Sequence, residues 1–172
     1  MSMQFCHRLL LTIACLALSV WSVSADTLTV RTLFTDMPDD VIPYLSKTNR
    51  LDFIDFMDSS MKAEVTNSLG GKSLMTALTD DSLSITLNES CRVDVFLLHT
   101  ERVIDGQNLV VAVLRTYSME GNEVDNDVEF YSVGWKKLTE TPQLTARDRQ
   151  RLATVKKSSN ILNFIKAKIN KH

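Results

Sequence analysis

The spacing of apolar residues changes once along the chain, and the change separates two kinds of structure. Leu28, Val30, Leu33, Phe34 and Met37 recur every three or four residues, which predicts a helix with one buried stripe. Pro38 punctuates it, and Asp39-Asp40 offers a helix start with acidic side chains at the positive end of the dipole. Val41, Ile42, Tyr44 and Leu45 make only a short turn, because Pro43 interrupts them. A second helix is predicted from Asn49 to Met61. Leu51, Ile54, Met57 and Met61 lie on one side of it, Phe53 and Phe56 flank them, and Asp52, Asp55 and Asp58 stand opposite.

Beyond Gly70-Gly71 the period falls from 3.6 to 2. Leu83, Ile85 and Leu87 alternate with Ser84 and Thr86, the signature of a strand with one wet face. Val93, Val95 and Leu97 alternate with Asp94, Phe96 and Leu98. Leu109 to Leu114 is apolar on both faces, as a central strand should be. Leu74–Thr79 and Val128–Trp135 complete the set. The turn clusters at Thr79–Ser82, Asn88–Ser90, Asp105–Asn108 and Gly121-Asn122 leave no room for crossover helices. The expected fold is therefore α+β. N-terminal helices pack on one face of an antiparallel meander of about five strands, and a basic helical tail follows.

Composition sharpens this picture at both ends. His7 and Arg8 precede an apolar stretch from Leu9 to Val20, and small residues lead to Val23-Ser24-Ala25 with Asp26 beyond. That is the layout of a secretory signal, whose apolar part runs to roughly 7–15 residues, short of the roughly 20 that span a bilayer. Lipidation at Cys15 would take a leucine three residues earlier, where Thr12 stands. The expected domains are a signal peptide at 1–25, an α+β domain at 26–141 and a basic helical tail at 142–172. Cleavage implies export to the periplasm or cell surface. Cys6 and Cys15 leave with the leader, so Cys91 has no intrachain partner and packing alone stabilises the domain. Charge is segregated too: residues 26–135 carry 19 acidic and 8 basic side chains, and residues 136–172 carry 10 basic and 2 acidic. Ile161, Leu162, Ile165 and Ile169 make that tail amphipathic. Docking on the acidic domain or standing free as a solvated helix comes first among its readings, peripheral contact with anionic lipid second, and nucleic acid is not expected.

The inventory of reactive groups is thin. His99, inside a strand, is the interior histidine of the mature chain, and its place reads as a partly buried strand end. A Ser-His-Asp or Cys-His relay would have to use His99, around which little else gathers; no Gly-x-Ser-x-Gly elbow or phosphate loop appears, and one cysteine with one interior histidine cannot make a zinc site. No catalytic residue, metal or cofactor is assigned. Asp125, Asp127 and Glu129 faintly resemble a calcium loop, but Phe130 stands where glycine is needed. Asp52, Asp55, Asp58, Asp80 and Asp81 are the candidate binding surface. A solvated helix face explains the first three as well, and Asp80-Asp81 fits a turn that caps its own backbone.

Pro43-Tyr44-Leu45, Asn49-Arg50-Leu51-Asp52, Asp55-Phe56-Met57-Asp58, Met61-Lys62-Ala63 and the run from Met75 to Asp81 resemble an uncharacterised family of small secreted Bacteroidetes proteins. Val128-Glu129-Phe130-Tyr131 with Trp135 and Leu138 fits as well, and the resemblance covers roughly residues 30–138. It implies an envelope or extracellular location and no activity, and the tail after Pro142 looks particular to this chain. The function expected is an exported, non-enzymatic binding or structural module of the cell envelope, its partner an envelope protein or glycan. The alternative is a hydrolase of cell-wall or glycan material using carboxylates such as Asp80 and Asp52, held roughly 5–9 Å apart across a substrate.

Overall fold

A computed structural model describes residues 27–157. The leader and the amphipathic stretch beyond residue 160 lie outside the described residues. The elements are α1 (Val30–Asp36), α2 (Lys47–Asp58), β1 (Glu64–Thr66), β2 (Lys72–Leu78), β3 (Ser82–Asn88), β4 (Cys91–Ile104), β5 (Gln107–Met119), β6 (Asn122–Ser132) and α3 (Ala146–Lys157). The strands pair in sequence order, β1 to β6, and every pairing is antiparallel. The fold is α+β with an antiparallel meander, as the periodicity predicts. It has six strands because β1 is three residues long and shows one buried side chain, Val65, too little for any pattern.

Both N-terminal helices begin with a capping box. Thr29 and Thr32 bond reciprocally at α1, as do Ser46 and Asn49 at α2, which satisfies amides the first turn leaves without partners. No helix starts at Asp39, because Pro43 denies the segment a backbone donor and residues 39–45 stay a chain of turns. The β4–β5 and β5–β6 hairpins close through two-residue loops, Asp105-Gly106 and Glu120-Gly121, with φ of 48° and 82°, and 50° and 78°. Positive φ at both loop residues matches the twist of paired strands, and glycine takes it without penalty.

Two cores result. The first face of the sheet carries Ile85, Val93, Val95, Leu97, Val111, Val113 and Tyr131 against Phe34 of α1 and Phe53 and Ile54 of α2. Burial of each such side chain contributes about 1.5–3 kcal/mol. The other face carries Phe96, Leu98, Val110, Ala112, Leu114 and Phe130 against Leu144 and Leu152. Helices therefore cover both faces, where the sequence pattern predicts one. The basic segment supplies the second cover, with Leu144, Asp148 and Leu152 buried. Its pairing is electrostatic as well: Arg151 with Asp81 of the β2–β3 turn and Arg149 with Glu101 of β4 tie it to acidic side chains.

α2 is rotated from the orientation its apolar residues predict. Arg50, Phe53 and Ile54 are buried, while Leu51 and Met61 are 41% and 57% exposed. The cause is Arg50. Its Nη1 donates to Leu45 O at 2.8 Å and to Asp39 Oδ1 at 2.7 Å, and its Nη2 donates to Met37 O at 2.6 Å. A buried guanidinium thus holds together carbonyls of the loop between the two helices, which no secondary-structure ladder would satisfy.

Candidate functional site

A concentration of polar side chains on the first face lies where the Asp40–Tyr44 turns overhang β4, β5 and β6. They enclose a cleft of about 580 Å³ whose walls include Tyr44, Asn88, Cys91, Arg115, Tyr117 and Glu129. Sequence places them there by alternation. Arg115 pairs with Asp127 and with Val93, and so stands on the first face. Arg115 Nη2 donates to Val41 O at 2.8 Å, anchoring the overhang, while Nη1 bonds Glu129 at 2.8 Å and Asp127 at 3.2 Å.

Glu129 is the centre of this network. It accepts from Lys137, from Arg115 and from the Tyr131 hydroxyl at 2.9 Å. The Lys137 ammonium above all, with Arg115 and Tyr131, holds its carboxyl down to about 2 despite partial burial. Tyr131 moves the opposite way, to about 12, because burial disfavours the phenolate and Glu129 takes the hydroxyl's proton as a hydrogen bond. Burial also raises the Cys91 thiol, so it is a neutral thiol at neutral pH and a poor nucleophile. Tyr44 and Tyr117 are 39% and 38% exposed at the cleft, and Asp40 is an exposed carboxylate on its wall. The arrangement offers aromatic surface, fixed charge and hydrogen-bonding groups. Cys91 is not an activated nucleophile, and Glu129 is not a carboxylic acid that holds its proton near neutral pH.

The aspartates singled out in the sequence lie elsewhere. Asp58 takes Arg31 of α1 in a two-pronged pair at 2.7 and 2.8 Å, which depresses its carboxyl and ties α2 to α1. Asp81 takes Arg151 in the same manner at 2.7 and 3.0 Å. Partial burial raises the Asp81 carboxyl, and Arg151 with Thr79 overrides this to leave it below its usual range. Asp80 stands in the β2–β3 turn, where its carbonyl accepts from Val30 N at 2.8 Å and its charge acts on Arg31. The turn is thus a joint: α1, β4 (through Leu97 N to Asp81 O at 2.9 Å) and α3 all bond to it. Asp52 is half-buried and Asp55 exposed on α2. Arg31 brings Asp58 and Asp80 to one corner; Asp81 turns away to α3.

His99 also departs from its expected setting. Its side chain is 62% exposed, and Nδ1 lies 3.1 Å from Oδ2 of the buried Asp148, which also accepts the His99 backbone N–H at 2.7 Å. Asp125, Asp127 and Glu129 alternate along β6, so no loop gathers them round an ion. Among the described residues no three His, Cys, Asp or Glu side chains gather as metal ligands would, and no helix is long and apolar enough to cross a membrane. The cleft residues escaped the sequence reading. The signal that could have found them is Arg115 itself, a cation directly after six apolar strand residues, with Glu129 and Asp127 on the neighbouring strand.

A helix-capped antiparallel meander with a charged, tyrosine-rimmed cleft makes this a small α+β domain. The chain belongs to the family described as protein of unknown function (DUF3256), which matches residues 22–171. The match runs almost to the C-terminus, so the basic tail is part of the family pattern and not particular to this chain, contrary to the expectation from its composition. Among solved structures, a domain of an uncharacterized protein from Porphyromonas gingivalis W83 is similar, with 21% identity and a TM-score of 0.51. The alignment covers 64% of this chain and 53% of that one, so the chain spans about half of its neighbour's length. At that identity the likeness shows the fold alone. No curated protein matches.

Proposed function

We propose that the protein is an exported, non-enzymatic binding module of the cell envelope, and that the first-face cleft holds its partner, an envelope protein or glycan. One observation carries this reading. Tyr44 and Tyr117 stand half-exposed at a cleft whose interior charges are already neutralised by one another. Exposed aromatics cost little entropy to fix and offer large contact area, which recognition sites use. A pre-paired Arg115–Glu129 floor offers polar groups without leaving a bare charge to be desolvated. Asp52 and Asp55 on α2 and Asp80 in the β2–β3 turn add negative charge outside the cleft, a field that favours a cationic approach. Export follows from the leader-like N-terminus. What weighs against a hydrolase is that Asp52, on α2, and Asp80, in the β2–β3 turn, both lie outside the cleft, and their neighbours Asp58 and Asp81 are bound to arginines.

The test is capture from envelope extract on the immobilised protein, wild type beside Tyr44→Ala/Tyr117→Ala. A component retained by the wild type and released by the variant supports the reading; equal retention, or none, removes the cleft from it. The thiol of Cys91 gives a second readout. An occupied cleft slows its alkylation by iodoacetamide severalfold, and an unchanged rate counts against occupancy.

A further inference from the structure

We propose that the outer edge of β6 takes up an extended segment of a partner protein whose side chains alternate between basic and apolar. The interaction uses the open side of β6; it shares Asp127 and Glu129 with the cleft's Arg115 network but does not require the cleft to be occupied. β6 ends the sheet order, and a short returning segment already occupies part of its edge. Ser132 N donates to Lys136 O at 2.9 Å, Leu138 N donates to Phe130 O at 2.8 Å, and Tyr131 faces Lys137. In an antiparallel ladder, outward-facing backbone groups recur at every second residue, so Val128 and Asn126 come next. The returning segment leaves the edge after Leu138, and among the described residues no strand pairs with these two. At Asn126 the Asp125 side chain accepts the backbone N–H at 2.8 Å, standing in for the carbonyl of a missing neighbour.

The two sides of this edge differ, and the difference specifies the occupant. On the first face Asp125, Asp127 and Glu129 line up at alternate positions. Lys137, on the returning segment, shows what meets them, for its ammonium sits on Glu129. On the second face Val128 and Phe130 wall an open cavity of about 440 Å³ together with Pro142, Leu144, Leu152 and Ala153. A strand laid on the edge would point one set of side chains at the carboxylates and the other set into this apolar cavity. That is the division of labour in strand addition, where backbone bonds give affinity and alternate side-chain sites give specificity. A second copy of this chain pairing edge to edge would bring aspartates against aspartates, which is destabilising. The same charges turn away acidic strands, so the edge is selective as well as guarded.

The probe is a synthetic heptapeptide, Lys-Val-Lys-Val-Lys-Val-Lys, with Glu-Val-Glu-Val-Glu-Val-Glu as its charge-reversed partner, added to the whole protein. Amide hydrogen exchange is read at Asn126 and Val128. The lysine peptide is expected to slow both amides severalfold, and the glutamate peptide to leave them unchanged. Asp125→Lys/Asp127→Lys should weaken the lysine peptide about tenfold. Leu152→Trp, which fills the cavity, should weaken it too, and Tyr44→Ala/Tyr117→Ala should not. Exchange in the β5 strand, unchanged between variants, certifies that each is folded. Equal protection by both peptides, or none by either, overturns the proposal. So does full protection without peptide, which would mean that the chain's own residues 158–172 occupy the edge.

Discussion

On the first face of the sheet, two helices press Phe34, Phe53 and Ile54 onto Ile85, Val95 and Val113, and a wholly buried Arg50 bonds the loop between them. On the second face one helix rests on a smaller apolar patch of Phe96, Leu98, Ala112 and Leu114. Around that patch the contacts are polar and lie near water: ion pairs of Arg151 with Asp81 and of Arg149 with Glu101, and a hydrogen bond between the exposed His99 ring and Asp148. Arg151 also lies over the Phe96 ring, 5.2 Å from its centroid, a cation on an aromatic face. The difference teaches where stability resides and where it can be tuned. Apolar burial on the first face is indifferent to salt, whereas exposed ion pairs on the second are screened by it.

The largest expected effect comes from breaking the first face at the buried Arg50. Arg50→Met keeps much of the volume but leaves the carbonyls of Met37 and Leu45 without donors in the interior. Loss of stability should reach about 3 kcal/mol, read as a shift in the urea midpoint at unchanged slope. Leu51→Ala, one residue along the same helix but exposed, should change stability by less than about 0.5 kcal/mol. On the second face, Leu152→Ala removes a buried side chain at the rim of the smaller core and should destabilise by about 2 kcal/mol. Exchange should then quicken in α3 before it quickens in α2. A larger effect from Leu152 than from Arg50 would reverse the ranking of the two faces.

Glu129 sharpens the contrast through pH. Its carboxyl lies at about 2 in the folded protein against an ordinary 4.5, held there by Lys137, Arg115 and Tyr131. A depressed folded value means that the stabilisation is complete above about 4.5. It is lost as pH falls from there towards 2, because the unfolded chain takes up the proton first. Glu129→Gln should remove that acid-side slope and lower stability at neutral pH by about 1 kcal/mol, allowing for solvent at the network. Thermal unfolding from pH 6 to pH 2.5 measures both; parallel curves for the two proteins would mean that the network is not what holds Glu129.

Much of this was legible in residue order. Alternation at Leu83, Ile85 and Leu87, and the unbroken run from Leu109 to Leu114, locate β3 and β5 because both obey a local period. Arg50 was not legible, since an arginine on a helix reads as solvent-facing unless the carbonyls it satisfies, as far off as Met37, are known. Asp81 and Arg151 are 70 positions apart, and nothing in the spacing of either announces the other. The five aspartates were visible as a group, yet the fold divides them between α2 and the β2–β3 turn. The cleft's Arg115 and Glu129 meet only through strand register. Local periods write themselves into a sequence; partnerships across the sheet do not.

Asp81 and Arg151 provide the smallest and most specific test of the comparison. Their two-pronged contact is half open to water, with side-chain exposures of 56% and 28%, so its worth should stay below about 1 kcal/mol. Asp81→Asn keeps the turn's shape and a hydrogen bond to Arg151 while deleting the charge. Its effect should therefore appear at low ionic strength and fade by about 0.5 M salt, where the screening length falls to a few ångströms. The matching substitution on the first face, Asp58→Asn, removes the pair with Arg31 and should be screened in the same way. The two should differ in what loosens. Asp58 joins α2 to a helix that the large core already holds, so amide exchange should stay uniform. Asp81 joins the sheet to a helix with little else beneath it, so exchange in α3 should accelerate alone. If both variants loosened their helices equally, the second face would be as firmly bound as the first, and its ionic contacts would be ornaments on an apolar seam.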